Sequence, residues 1–255
     1  MLRFAQHDST KHLHCGRVLA VAKTVGVNVM STNPDGPVSE RNVEVSSPAG
    51  ALHGILAVPT NARGIVLFAH GSGSSRFSPR NNFVARVLQQ GGIATLLMDL
   101  LTEEESQDRS KVFDIDLLTE RLLAATRWVR RQPEIQTLAI GYFGASTGAA
   151  AALKAAVREG SEISAVVSRG GRPDLAADVL PQVKTPTLLI VGGDDETVVE
   201  LNRQARNLLP GQAELSIIPG ATHLFEEPGA LEEVARLARE WFLRHLRPQQ
   251  LRRAA

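Results

Sequence analysis

From residue 40 onward the chain alternates short apolar runs with longer segments of helical period. The runs are Gly64–Ala69, Ala94–Met98, Leu138–Phe143, Ala165–Val167, Thr187–Val191 and Glu214–Ile218. Runs this short and this apolar suit strands buried on both faces, as in a parallel sheet. The helical segments are Asn81–Gln90, Ile115–Arg131, Gly148–Arg158, Val198–Leu209 and Leu231–Leu246. In the last of these, Leu231, Val234, Leu237, Ala238 and Trp241 recur on one face with charges between them, so one stripe packs on a sheet. Leu117, Leu118, Leu122, Ala125 and Val129 form a similar core stripe. Ahead of this pattern, Val43–Val45 and Leu52–Val58 read as a hairpin around Pro48-Ala49-Gly50. The expectation is an α/β fold: a doubly wound, mostly parallel, eight-stranded sheet with an antiparallel N-terminal hairpin.

A chain of 255 residues suits one large domain of this kind, placed at 39–247. Residues 1–38 fit no period and end in the breaker cluster Asn33-Pro34-Asp35-Gly36-Pro37, so they read as a poorly ordered extension. Residues 248–255 read as a tail. The net charge of +1 calls for neither nucleic acid nor an anionic membrane. No apolar run approaches the roughly 20 residues that span a bilayer, and Lys23 and Asn28 break the one mildly apolar N-terminal stretch. The single cysteine, Cys15, excludes an intrachain disulfide and fits a reducing compartment. A cytoplasmic protein is expected. His7, His12, His14 and Cys15 lack the spacing of a zinc site and read as a tail with chance histidines, so no metal is expected.

In a doubly wound sheet, ligands sit beyond the carboxyl ends of the strands. There the sequence concentrates its reactive side chains. Gly144-Ala145-Ser146-Thr147-Gly148 joins a strand to the Ala-rich helix, the context a G-x-S-x-G turn needs to hold a serine hydroxyl above the sheet. Thr147 opens the helix, so its backbone N–H is a candidate oxyanion donor. A serine needs a base to take its proton. Of the two histidines after Ser146, His223 lies on the loop after the last strand. His245 ends the last helix, where a cation suits the C-terminus. The acid belongs between serine and base in this order. Asp195 is the choice and Asp194 the runner-up; Glu196 fits the first turn of the next helix, and Asp174 the start of a helix after Pro173. The loop His70-Gly71-Ser72-Gly73 follows the first parallel strand, and the Ser72 backbone N–H is assigned as the second oxyanion donor. His70 orients that loop.

On His70-Gly71-Ser72-Gly73, Gly144-Ala-Ser146-Thr-Gly148, Asp195-Glu-Thr-Val198 and Gly220-Ala-Thr-His223-Leu-Phe, the chain resembles the α/β-hydrolase superfamily, and within it the dienelactone hydrolase-like group. The resemblance covers roughly residues 40–247. It implies a metal-free, cofactor-free hydrolase of small carboxylic esters or lactones, without a large inserted lid. The name-giving enzymes carry a cysteine nucleophile where this chain has Ser146, which separates its substrate from dienelactone itself. The expected partner is a small-molecule ester or lactone, acted on by a monomer or homodimer through an acyl-enzyme. The competing readings are a thioesterase or acyltransferase with the same triad, and a non-catalytic interaction protein on a hydrolase scaffold.

Arg169 and Arg172, after a central strand, and Arg76, on the loop after the first, could hold a substrate carboxylate through a guanidinium fork. The alternative is pairing with Asp174, Asp99 or the Glu103-Glu104-Glu105 loop. That loop, with Asp99, reads as a solvated acidic segment near Arg109 and Lys111.

Overall fold

The computed structural model describes residues 29–33 and 36–246. Its strands are β1 (Val29–Asn33), β2 (Gly36–Ser47), β3 (Gly50–Pro59), β4 (Gly64–Ala69), β5 (Ala94–Met98), β6 (Ala139–Ala145), β7 (Ile163–Arg169), β8 (Thr187–Gly192) and β9 (Ala213–Ile218). Its helices are α1 (Pro79–Gln90), α2 (Glu103–Ser106), α3 (Arg109–Val112), α4 (Ile115–Val129), α5 (Thr147–Glu159), α6 (Glu196–Leu208) and α7 (Ala230–His245). All strands join one sheet, ordered β1-β2-β3-β5-β4-β6-β7-β8-β9. β1, β2 and β3 are antiparallel to their neighbours, and β4 through β9 run parallel to one another. Strands β2–β9 are the expected eight. β1 adds a ninth at the edge, pairing Val29 with Glu40 and Asn33 with Gly36. The rest of the N-terminal extension, its histidines and Cys15, and the tail at 248–255 lie outside the described residues.

The central strands are apolar because helices cover both faces. In β4 the side chains of Leu67 and Phe68 point to opposite faces, and both are buried. Each such burial is worth about 1.5–3 kcal/mol. On one face α1 and α7 pack through Val84, Leu88, Val234, Trp241 and Phe242. On the other lie α4, α5 and α6, with Leu122, Val129, Leu153 and Ala205. Helix α5 carries buried alanines from Ala149 to Ala152, small enough to set its axis close against the sheet. That proximity decides where the chain can turn between β6 and α5.

Local signals set the helix starts. The Ser78 hydroxyl accepts from Asn81 N–H with Pro79 at the first position of α1, and the Asp114 carboxylate accepts from Leu117 N–H at α4. Glu103 and Glu104 of the acidic segment are exposed as expected, and Glu105 is the exception. Thr102 and Glu105 close a capping box at α2. Glu105 is buried, with Arg121 at 2.9 Å on α4. Among the described residues, no helix is long and apolar enough to cross a membrane.

Candidate active site

Ser146 sits between β6 and α5 with φ of +50° and ψ of −120°. A non-glycine residue held there costs about 1–3 kcal/mol and persists only where its surroundings over-determine it. Here three backbone bonds do so. Ser146 N–H donates to the carbonyl of Arg169 at 3.1 Å, and Ser146 O accepts from Ala149 and Arg172 N–H, each at 3.1 Å. The flanking glycines are required by space. A Cβ on Gly144 would lie 2.4 Å from Ala149 Cα, and one on Gly148 would lie 2.1 Å from the Ala69 carbonyl oxygen. The Ser146 side chain makes no capping bond to α5, which leaves its hydroxyl to the site.

The acid and histidine loops follow the neighbouring strands β8 and β9. Gly193 N–H donates to Ile218 O at 2.8 Å and Asp194 N–H to Ala221 O at 3.0 Å, so the two loops are hydrogen-bonded to each other. Across that seam His223 Nδ1 lies 2.6 Å from Asp195 Oδ2. Asp195 occupies the cap position of α6, yet its carboxylate makes no capping bond. It is turned to the imidazole instead. Of the two candidate acids, Asp195 meets the imidazole with its carboxylate, while Asp194 meets the histidine loop through its backbone N–H. Phe225, two residues after His223, has φ of +56° and a buried ring that anchors the loop. A Cβ on Gly170, at the end of β7, would lie 3.4 Å from His223 Cε1. The imidazole thus lies beside the segment that holds the Ser146 backbone. His245 closes α7, with its ring 4.3 Å from that of Trp241. Glu196 opens α6, and Asp174 lies in the first turn after Arg172.

The loop after β4 meets the serine directly, since a Cβ on Gly71 would lie 3.0 Å from Ser146 Cβ. Ser72 N–H, expected to face the oxyanion, donates to Thr147 Oγ1 at 3.0 Å. The sequence marks Thr147 only through its backbone N–H, and this acceptor depends on a loop 75 residues earlier in the chain. His70 is buried and has two bonds: Nε2 accepts from Leu100 N–H at 3.0 Å, and Nδ1–H donates to Gly71 O at 2.9 Å. That pattern fixes the neutral tautomer with the proton on Nδ1, and burial lowers its pKa. A cavity of about 790 Å³ opens on this loop, reaching from Gly71 and Ser72 past His53 to Leu101 and Gln107. Ser146 and His223 are not among its walls; it joins the site through Gly71 and Ser72. A second cavity, of about 810 Å³, lies at the opposite end of the strands beside Ile163 and Pro186.

The three arginines part company. Arg172 forms a two-pronged bond to Asp174 at 2.8 and 2.7 Å. Arg76 is bound to Asp99 by both its guanidinium and its backbone N–H. Arg169 is buried, and among the described residues it pairs with no carboxylate. Its Nη2 donates to Asn81 Oδ1 at 3.3 Å, and the guanidinium carbon lies 5.8 Å from the Phe225 ring centroid. Burial, with the Arg80 charge nearby, pulls its pKa down to about 10. In the sequence Asn81 marks only the start of a helical segment and Phe225 only the end of the His223 motif, neither with a role at the site. A polar residue on the buried stripe of α1 was the available signal for Asn81.

A nine-stranded sheet with helices on both faces, carrying a strained serine turn, a histidine and a carboxylate beyond its strand ends, defines an α/β hydrolase. The profile of the dienelactone hydrolase family matches residues 52–246, and the chain belongs to that family. A dienelactone hydrolase from Anabaena variabilis is 57% identical, with a TM-score of 0.80 over 82% of this chain and 99% of that one. An esterase from Pyrococcus furiosus shares the fold, with a TM-score of 0.65 at 20% identity over 81% of this chain and 91% of that one. A protein of Mycobacterium tuberculosis named as a putative phosphoribosyl transferase is 57% identical over 212 residues, 83% of this chain and 48% of that protein. The chain thus spans about half the length of the curated relatives it matches. Membership of the family supports hydrolase activity.

Proposed function

We propose that the chain is a serine hydrolase that cleaves a small carboxylic ester or lactone through an acyl-enzyme. The observation that carries this reading is the 2.6 Å bond between His223 Nδ1 and Asp195, beside a serine locked in a strained turn. With Nδ1–H bound to the carboxylate, Nε2 is the basic nitrogen and can take the Ser146 proton as the hydroxyl attacks a carbonyl. Asp195 stabilises the imidazolium that forms. Thr147 N–H, at the start of α5, faces the developing oxyanion with the helix N-terminus behind it. The loop carrying Ser72 closes the other side. His223 then protonates the leaving alcohol and activates the water that releases the acid.

The transferase name of the curated relatives belongs to proteins about twice as long as the matched segment, while the hydrolase family covers residues 52–246 of this chain. The hydrolase reading therefore attaches to the shared segment. A thioesterase or acyltransferase would use the same groups, and product analysis with competing thiol and alcohol acceptors separates them. The test of the triad is Ser146→Ala. It should keep the fold, abolish turnover of p-nitrophenyl acetate and remove stoichiometric labelling by a fluorophosphonate. A label that persists on another residue refutes the assignment.

A further inference from the structure

We infer that the side-chain hydroxyl of Thr147 is a catalytic hydrogen-bond donor to the oxyanion, with Ser72 N–H acting through it. The inference rests on the serine hydrolase reading and adds a group to it. Thr147 is only 4% exposed, and it immediately follows Ser146. A hydroxyl offers one donor and two acceptor positions. Thr147 Oγ1 uses one acceptor position, for Ser72 N–H at 3.0 Å. Among the described residues its own proton has no acceptor. The buried hydroxyls of Thr119 and Thr126 set the contrast, since each donates to the carbonyl four residues back, at 2.7 and 3.0 Å. Thr147 opens its helix, so the residue four back, Phe143, belongs to β6.

A buried hydroxyl with an unspent proton costs about 1–3 kcal/mol and calls for a reason. The surroundings supply one. Gly71 packs on Ser146 Cβ, so the Ser72–Thr147 bond borders the nucleophile. Accepting an N–H bond polarises the hydroxyl and makes it a stronger donor. When Ser146 Oγ bonds to the acyl carbon, the carbonyl π pair moves to oxygen and the serine proton moves to His223 Nε2. The new charge on oxygen takes hydrogen bonds from Thr147 N–H and from Thr147 Oγ1–H. Thr147 keeps its proton throughout. Ser72 N–H, whose hydrogen already points at Oγ1, contributes by polarising that group.

The decisive comparison is Thr147→Val, nearly isosteric and without the hydroxyl, against Thr147→Ser, which restores it. Both are assayed for kcat and KM on p-nitrophenyl acetate, for the rate of fluorophosphonate labelling, and for Tm. The valine variant should lose on the order of 10²-fold in kcat, with KM little changed and labelling slowed in parallel, while the serine variant stays near wild type. Wild-type kcat in the valine variant, higher kcat from a released Ser72 N–H, or equal losses in both variants would overturn the inference. If Thr147→Val fails to fold, Thr147→Ala replaces it in the same comparison. Ser146→Ala tests the underlying reading separately: its activity must vanish whatever Thr147 does.

Discussion

The Nδ1 of His223 lies 2.6 Å from Oδ2 of Asp195, whereas Asp194, one residue earlier, reaches the same loop only through its backbone N–H to Ala221 O. The carboxylate that orients the imidazole and the peptide that splices its loop are thus adjacent residues with separate duties. Asp195→Asn should keep the fold, because its side chain caps nothing in α6. It should lower kcat by on the order of 10³- to 10⁴-fold, since an amide can favour the wrong imidazole tautomer. Asp194→Asn preserves the backbone bond and should change kcat less than about threefold, within the ordinary effect of a surface substitution. Steady-state ester hydrolysis by the two variants checks this. Equal losses would mean that the acid has been misassigned.

The turn at Ser146 makes a second demand, on volume. Gly148→Ala would place its Cβ 2.1 Å from the Ala69 carbonyl oxygen, a backbone atom with no room to retreat. The variant should lose at least about 1–3 kcal/mol of stability, together with most of its activity. Urea unfolding followed by tryptophan fluorescence reads the first effect and ester turnover the second. A variant as stable as wild type would show that α5 can shift away from the sheet at no cost.

Among the described residues, Arg169 is the arginine near the site whose charge no carboxylate neutralises, whereas Arg172 is committed to Asp174 and Arg76 to Asp99. If the natural substrate carries an acid group, Arg169 is therefore the residue to hold it. The check is turnover of matched neutral and acid-bearing esters. Arg169→Ala should lower kcat/KM for the acid-bearing ester by about tenfold or more relative to the neutral one, the worth of one charge-assisted bond. Proportional losses on both esters would assign Arg169 instead to holding α1 and Phe225 in place.

Much of this architecture was legible from residue order alone. A parallel strand covered on both faces must be apolar throughout, so β4 and β5 stand out with their observed ends. The motif around Ser146 was legible because sterics forbid side chains at 144 and 148. What escaped depends on partners distant in sequence. Strand β1 is an edge strand whose place comes from its register with Ser39 and Glu40, and no apolar run marks it. Glu105 read as solvated because its partner, Arg121, comes sixteen residues later on another helix. The fates of the three arginines, and the capture of Ser72 N–H by the Thr147 hydroxyl, are set by loops that meet only in the folded chain.

His70 makes the loop after β4 sensitive to pH in a direction its hydrogen bonds dictate. Nε2 accepts from Leu100 N–H, so protonating that nitrogen sets two hydrogens against each other in a buried space. Burial is the main reason its pKa falls below 6.5, and the Gly71 carbonyl and the Asp99 charge oppose that fall only in part. In the unfolded chain the imidazole takes up a proton below about pH 6.5, while in the folded chain it resists until lower pH. Stability from this group is therefore fully present above about pH 6.5 and declines as the pH falls towards the folded value, by about 1.4 kcal/mol for each pH unit crossed in that window. His70→Gln removes the titration. It should be less stable than wild type at pH 7.5, with the gap narrowing as the pH drops towards 5. Urea unfolding of both proteins across that range measures the gap, and the carboxylates shared by the two proteins cancel in the difference. A gap that stays constant or widens on acidification would mean that His70 does not carry its loop as a neutral ring.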